Sequence, residues 1–167
     1  MLKLIKRASE IPFSDMACIY EESLTESGQR SYPHLDANGQ AREAAQDFYA
    51  FLQDFLKNER CFIFLWETEN RYVSGLRLEP YVDGVLITGL ETAPSYRRRG
   101  YASKLLRAVL KQPELQGVRV YSHIHRSNTA SSALHLACGF LLSKHNARLV
   151  DGTVTGRYDT YEKQVCD

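Results

Sequence analysis

The sequence is poor in the features that mark membrane, secreted and nucleic-acid-binding proteins. No apolar run approaches the ~20 residues that a membrane-spanning helix needs. The N-terminus carries Lys3, Lys6 and Arg7 among few apolar residues, so it lacks the apolar core of a signal peptide. The charge is nearly balanced, with 21 Lys+Arg against 20 Asp+Glu, so there is no long-range field to attract nucleic acid. We therefore expect a cytoplasmic protein that binds neither a membrane nor nucleic acid.

Cysteine is scarce as well, and two common nucleotide-binding signatures are missing. The four cysteines, Cys18, Cys61, Cys138 and Cys166, lie far apart and form no C-x-x-C pair, which argues against a zinc site and against a disulfide framework. We expect no metal. Cys18 and Cys138 fall on the apolar faces of predicted helices, where a free cysteine usually packs as a small hydrophobic residue. Neither a P-loop nor a G-x-G-x-x-G fingerprint is present.

The 167 residues suit one domain, 1–167. Alternation of apolar and polar residues predicts strands, and apolar residues at a spacing of three or four predict helices. The strands are predicted at 2–7, 61–67, 72–81, 85–92, 117–125, 140–150 and 153–165, and the helices at 11–24, 41–58, 102–109 and 128–138. The resulting order β-α-α-β-β-β-α-β-α-β-β predicts a mixed α/β sheet with helices packed on it. The turn-rich segment 25–40 predicts a long loop, either a cover for a substrate or simply mobile.

The segment 90–109 combines a strand end, a basic turn and an amphipathic helix. It runs through Pro94 and three arginines to Gly100, after which apolar residues return at helical spacing. A strand that feeds a helix through a glycine turn leaves backbone N–H groups unpaired at the positive end of the helix dipole. We therefore predict a phosphate-binding loop. The alternative is a solvated basic turn, the usual outcome for a short run of like charges.

Two motifs give this segment a family resemblance. Residues 97–102 read R-x-x-G-x-A, which resembles the acyl-CoA pyrophosphate loop of the GNAT superfamily of N-acyltransferases. Residues 128–140 are similar to that family's N-x-x-A-x-x-L-Y-x-x-x-G-F motif, and the element order resembles the GNAT fold along the whole chain. The resemblance implies a mixed, mostly antiparallel sheet flanked by helices. It also implies an N-acetyltransferase that transfers an acetyl group from acetyl-CoA to a primary amine, by direct attack in a ternary complex.

The resemblance also assigns binding roles for acetyl-CoA. Loop amides after Arg97 are expected to hold the pyrophosphate, Arg97 and Arg99 to bind phosphate oxygens, and the preceding strand end and Asn128 to approach the pantetheine arm. The predicted CoA-binding residues are Thr92, Ala93, Arg97, Arg98, Arg99, Gly100, Tyr101, Ala102, Ser103 and Asn128. For Asn128 a purely structural role as a helix N-cap is an equally good interpretation.

The candidate catalytic residues are Glu91 and His135. Glu91 is a carboxylate in an apolar strand, where burial raises a pKa toward the range useful for a general base. His123 and His125, which share one face of the next strand, are alternatives for carrying the proton. His135 stands where many family members have a tyrosine that protonates the leaving thiolate. It is predicted either to replace that acid or to be a structural histidine at the edge of the core.

The acceptor is not readable from the sequence, and both small molecules and proteins are compatible with it. A non-catalytic acyl-CoA-binding module is the alternative to an enzyme, since the usual tyrosine is missing. An exposed edge in the last predicted hairpin suggests a homodimer as a further possibility.

Overall fold

The computed structural model describes residues 1–164, which contain nine strands and five α-helices. The strands are β1 (Leu2–Ile5), β2 (Phe62–Thr68), β3 (Arg71–Tyr81), β4 (Gly84–Thr92), β5 (Arg119–His125), β6 (Leu141–Lys144), β7 (Ala147–Arg148), β8 (Val154–Thr155) and β9 (Tyr158–Gln164). The helices are α1 (Phe13–Ile19), α2 (Glu21–Ser31), α3 (Ala37–Phe55), α4 (Tyr101–Val109) and α5 (Thr129–Ala137). Within residues 1–164, no helix is both long enough and apolar enough to cross a membrane.

Seven strands form one sheet in the order β1-β2-β3-β4-β5-β9-β6. All neighbours are antiparallel except β4 and β5, which run parallel. The parallel pair arises because the chain returns from β4 to β5 through α4, a crossover that a tight turn cannot make. The predicted mixed, mostly antiparallel α/β sheet flanked by helices is therefore confirmed.

Apolar clusters cover both faces of this sheet. On one face α4 buries Leu105, Leu106 and Val109 against Leu76 and Val120 of the strands. On the other face α1 and α3 pack residues such as Met16 and Leu52 against β2. Alternate residues of each strand point to opposite faces, so a strand in the middle of the sheet contributes to both clusters.

The parallel pair separates halfway along its length. Register between β4 and β5 runs only from Gly84 opposite Arg119 to Ile87 opposite Ser122, although both strands continue beyond these residues. In the continuing part, β4 also contains a β-bulge against β3, where the register shifts around Gly89. Gly89 has φ +57°, a conformation that favours glycine, and an added Cβ would lie 2.7 Å from the Arg77 guanidinium. The sheet is thus open between β4 and β5 at one end.

The predicted helix 11–24 and loop 25–40 were wrong. The helix breaks at Tyr20, α2 continues to Ser31, and α3 begins at Ala37, so that only residues 32–36 of the predicted loop lie outside the helices. This segment is polar and lacks a helical apolar period, but it packs closely on α3: a Cβ on Gly28 would lie 2.7 Å from the Gln40 carbonyl oxygen. Gly28 is therefore a helix-packing residue rather than a turn residue. Asp36 caps α3, since its side chain accepts a hydrogen bond from the Gly39 N–H.

The C-terminal region is more broken than predicted. The Asp151-Gly152 turn does lie in a hairpin, but that hairpin is the short β7–β8 pair, while β9 pairs with both β5 and β6. Residue 165 of the predicted last strand and Cys166 lie outside the described residues. Cys138 is buried as predicted, whereas Cys18 is exposed because it lies on the outer face of α1.

Candidate active site

The opening between β4 and β5 forms a cleft of about 1100 Å³. Its walls are the separated ends of these two strands, the loop that leads into α4, and the first turns of α2 and α5. Leu149 and Val150, which follow β7, complete the wall on the other side. One cleft therefore connects the predicted phosphate loop with the predicted general base.

The phosphate loop has the free donors that the sequence predicts. Gly100 is the N-cap of α4 with φ +78°, and no side chain caps this helix. Among the described residues, the backbone N–H groups of 98–103 donate no hydrogen bond, and the first helical bond is from Lys104 N–H to the Gly100 carbonyl. An added Cβ on Gly100 would meet no atom within 4 Å, so the space in front of it is open. Gly100, Tyr101, Ala102 and Ser103 line the cleft.

The three arginines of the loop differ in their contacts. Arg97 forms a bidentate ion pair with Glu22 of α2, with both N···O distances 2.8 Å, and its Nε donates to the Thr92 carbonyl oxygen at 3.1 Å. The hydrogen bond to Glu22 raises the pKa of Arg97. Arg98 lines the cleft, and the Arg99 guanidinium lies 5.3 Å from the Tyr96 ring centre. Arg97 was expected to bind phosphate, but here it binds a carboxylate of the protein.

The strand end before the loop is only partly available. Thr92 lines the cleft, but its carbonyl oxygen already accepts a hydrogen bond from Arg97. Ala93 is buried, does not line the cleft, and donates its N–H to the Val73 carbonyl oxygen. The structure therefore brings Thr92 to the cleft and leaves Ala93 behind it.

Glu91 lines the cleft at the end of β4, next to the first turn of α2. Ser23 Oγ of α2 donates a hydrogen bond of 2.7 Å to its carboxylate. Burial raises the pKa of the Glu91 carboxyl above its ordinary value, while the Ser23 hydrogen bond and the charges of Arg77 and Arg97 oppose this rise. The direction of this change is the one that the apolar strand around Glu91 predicts. Ser23 was not predicted from the sequence, because no motif surrounds it.

Two histidines of β5 also line the cleft. Burial lowers the pKa of His123, whose Nε2 is buried without a hydrogen-bond partner and whose ring packs against Tyr81. His125 is exposed, and its Nδ1 lies 2.7 Å from Ser127 Oγ. His123 is therefore neutral and close to the cleft, as an alternative proton acceptor would have to be.

His135 does not reach the cleft. It is 1% exposed, its ring packs edge-on against Phe140, and its neighbour Leu134 lines the cleft instead. Its Nδ1 lies 2.8 Å from the Ser131 carbonyl oxygen, so the neutral ring carries its proton there, and Nε2 has no partner. Burial lowers the pKa of His135 further. This environment favours a structural role for His135 over a role as the acid that protonates the thiolate. His135 lies deeper in the core than the predicted position at its edge.

Asn128 combines both interpretations that the sequence left open. Its side-chain oxygen accepts a hydrogen bond from the Ser131 N–H at 3.0 Å, so it is the N-cap of α5. It also lines the cleft. Among residues 1–164, no group of three or more His, Cys, Asp or Glu side chains could hold a metal ion.

The fold and the cleft define an α/β protein whose sheet opens beside a helix N-terminus with free backbone donors. The chain belongs to the acetyltransferase (GNAT) family, whose sequence profile matches residues 21–140. It is therefore an acyltransferase that uses a CoA thioester, and the predicted family is confirmed. A search of curated proteins found no significant match.

Several solved structures share the fold. The PaiA N-acetyltransferase from Thermoplasma acidophilum, solved in complex with coenzyme A, is 14% identical with a TM-score of 0.65, covering 98% of this chain and 99% of its own. The ribosomal-protein-S18-alanine N-acetyltransferase from Escherichia coli is 17% identical with a TM-score of 0.61, covering 100% and 96%. An N-acetyltransferase from Staphylococcus aureus Mu50 is 15% identical with a TM-score of 0.65, covering 99% of each chain. At these identities the likeness establishes the fold alone.

Proposed function

We propose that the protein is an N-acetyltransferase that transfers the acetyl group of acetyl-CoA to a primary amine by direct attack in a ternary complex. The observation that carries this proposal is one cleft that holds both a row of free backbone donors and a carboxylate with a raised pKa. Donors of that kind bind phosphate, and such a carboxylate accepts a proton near neutral pH.

The residues present fit acetyl-CoA as a substrate. The N–H groups of 98–103 form the diphosphate site, and Arg98 and Arg99 supply charge, since neither forms an ion pair among the described residues. The part of β4 beyond Ile87 has lost its β5 partner. The carbonyl oxygens of Gly89, Glu91 and Thr92 already accept hydrogen bonds from side chains, so we assign the remaining backbone groups of this part to the amides of the pantetheine arm. Asn128 lies on the opposite wall of the same cleft. We assign these residues to CoA binding.

We assign Glu91 as the general base. An amine attacks only as the neutral form, and a carboxylate with a raised pKa removes the proton more readily than an ordinary one. In the reaction the amine nitrogen bonds to the acyl carbon, the carbon–sulfur bond breaks, and the amine proton passes to Glu91. His123 is the alternative acceptor of this proton, through water.

The thiolate needs no acid from the protein. A thiol has an ordinary pKa near 8.5, so at pH 7 a free thiolate costs about 2 kcal/mol relative to the thiol. Solvent can supply that proton after the bond has broken. We therefore do not assign His135 to the leaving group, because its only ring proton is held by Ser131.

The acceptor is an amine of a small molecule or of a protein. Both kinds are named for fold neighbours: a spermidine N-acetyltransferase chimera and ribosomal-protein-alanine N-acetyltransferases. A homodimer through the outer edge of β6, where Leu141 is 70% exposed, also stays a prediction.

Two measurements test the proposal. Calorimetry with acetyl-CoA should show binding. A thiol assay with acetyl-CoA should then show faster release of CoA when spermidine, or a peptide with an N-terminal alanine, is added. Failure of the protein to bind acetyl-CoA at millimolar concentration would contradict the proposal. Binding without acceleration by any amine of a broad panel would contradict amine acetylation.

A further inference from the structure

The contacts of Arg97 differ from those of a phosphate ligand. All three nitrogens of its guanidinium are engaged by the protein: both Nη atoms by the Glu22 carboxylate at 2.8 Å, and Nε by the Thr92 carbonyl oxygen at 3.1 Å. These partners lie on different elements, α2 and the end of β4. Arg97 therefore connects α2 with the end of β4, the strand that carries Glu91.

The other two loop arginines, Arg98 and Arg99, provide positive charge at the phosphate site without Arg97. Neither Arg98 nor Arg99 has a carboxylate within ion-pair distance among residues 1–164. Both lie next to the free N–H groups of the loop. A diphosphate at those groups can thus be neutralised without breaking the bond between Arg97 and Glu22.

Glu22 directly precedes Ser23, the residue that contacts the proposed base Glu91. Ser23, the next residue of α2, donates its hydroxyl hydrogen to the Glu91 carboxylate at 2.7 Å. A chain of direct contacts therefore runs from Arg97 through the first turn of α2 to Glu91. Among the described residues, α2 has no side-chain N-cap, so this turn depends on contacts outside the helix.

The geometry makes this ion pair stronger than a typical surface pair. Exposed ion pairs usually contribute little, because two flexible side chains must be ordered in water. Here the planar guanidinium meets the carboxylate with two parallel hydrogen bonds, and its Nε is fixed by a backbone carbonyl. Such bidentate, pre-oriented pairs lose less freedom for each bond that they form.

We propose that Arg97 is a positioning residue for the α2 side of the cleft and that, through Glu22, it holds the first turn of α2 where Ser23 orients Glu91. The inference rests on the proposed function, because it assumes that Glu91 is the base. It departs from the role of phosphate ligand that the R-x-x-G-x-A motif suggests for this arginine.

The test compares Arg97→Ala, Glu22→Ala and the double variant with Arg99→Ala, which removes the same charge from the same loop without touching α2. Three quantities are measured: the acetyl-CoA Kd by calorimetry, backbone hydrogen exchange in residues 20–25, and kcat/KM for the best amine of the panel. The first two measurements need no acceptor.

If the inference is right, Arg97→Ala and Glu22→Ala both increase exchange at the start of α2 and both lower kcat/KM, by roughly three- to tenfold. The double variant resembles either single variant, because both remove the same contact, whereas independent effects would multiply. The acetyl-CoA Kd rises less in Arg97→Ala than in Arg99→Ala. The double variant removes both Arg97, whose charge lowers the pKa of Glu91, and Glu22, whose charge raises it. Loss of the Ser23 hydrogen bond then raises the pKa of Glu91 and shifts the pH profile toward higher pH.

The phosphate-ligand role predicts the opposite pattern. Glu22 would then compete for Arg97, so Glu22→Ala would tighten acetyl-CoA binding while Arg97→Ala weakened it at least as much as Arg99→Ala. Unchanged exchange in α2 would likewise overturn the inference. If the wild type binds no acetyl-CoA, the proposed function itself fails. That result is distinct from an intact enzyme in which Arg97 binds the substrate.

Discussion

Gly100 offers the sharpest test of the phosphate loop, because the protein contains a matched glycine elsewhere. Gly100 and Gly117 have φ of +78° and +72°, and an added Cβ on either would meet no atom within 4 Å. Gly100 lines the cleft and Gly117 does not. We consider the pair Gly100→Asp and Gly117→Asp, which places the same strain and the same charge at two different sites.

Both variants should be destabilised to a similar extent. A side chain in the left-handed region costs about 1 kcal/mol, at the low end of the usual range for a residue such as aspartate. For a chain of this length that lowers Tm by roughly 2 to 4 °C. The Gly100→Asp variant is therefore expected to unfold at the same temperature as Gly117→Asp or slightly above it, because its carboxylate lies at the positive end of the α4 dipole.

Binding of acetyl-CoA should separate them. A carboxylate about 5 Å from a phosphate charge, at an effective dielectric constant of about 20, is repelled by about 3 kcal/mol, or roughly a hundredfold in Kd. We expect that loss in Gly100→Asp and almost none in Gly117→Asp, measured by calorimetry at low ionic strength. Wild-type affinity in Gly100→Asp would refute the loop as the diphosphate site and return its arginines to ordinary surface charge.

Further predictions concern the base, the buried histidine and the helix contact. Activity (kcat/KM) should rise with pH through the raised pKa of Glu91. Glu91→Gln should lose this rise, with kcat falling roughly 10²- to 10⁴-fold. In Ser23→Ala the rise should move to higher pH, because the Ser23 hydrogen bond lowers the pKa of Glu91 and its loss raises that pKa; an unmoved rise would exclude Glu91. His135→Phe should change kcat by less than about threefold, where loss of a true acid would cost at least a hundredfold. Because burial lowers the folded-state pKa of His135, wild-type stability should fall as pH drops below the ordinary value near 6.5, and calorimetric unfolding of His135→Phe should show a weaker dependence. Gly28→Ala should destabilise the protein by about 1 to 3 kcal/mol in urea unfolding, because its methyl group would meet the Gln40 carbonyl oxygen.

Local signals in the sequence predicted the parts of the fold that local physics determines. Strands β2 to β5 and helices α4 and α5 carry clear periodicity, and the loop ending at Gly100 has the residues that a strand-to-helix turn requires. The family was predicted from the two motifs in those segments and is confirmed, whereas the roles of Glu91 as base and of the loop as phosphate site stay predictions. The burial of Glu91 followed in the same way, because the strand around it is apolar.

What the sequence hid depends on contacts between distant residues. The helix in 25–31 has no apolar period and is held by packing of Gly28 on α3. The Arg97–Glu22 pair joins positions 75 residues apart, and neither lies in a motif that names the other. The predicted rotation of α5 about its axis was off by one position. The observed rotation buries His135 and turns Leu134 toward the cleft. Such features are set by tertiary packing, which local propensity does not encode.

The bulge at Gly89 decides which side of the sheet receives the carboxylate. Before it, Ile87 packs on the α4 side; after it, Leu90 packs on that same side and Glu91 meets Ser23 on the other. In a strand of unbroken alternation, Ile87 and Glu91 would share a side, and Glu91 would point into the apolar layer beneath α4. The extra residue in the bulge thus reverses which side of the sheet each following residue of β4 faces. A variant that straightened this segment without shortening it would keep every functional group in its sequence and still present Leu90, rather than Glu91, to Ser23 and the α2 side of the cleft.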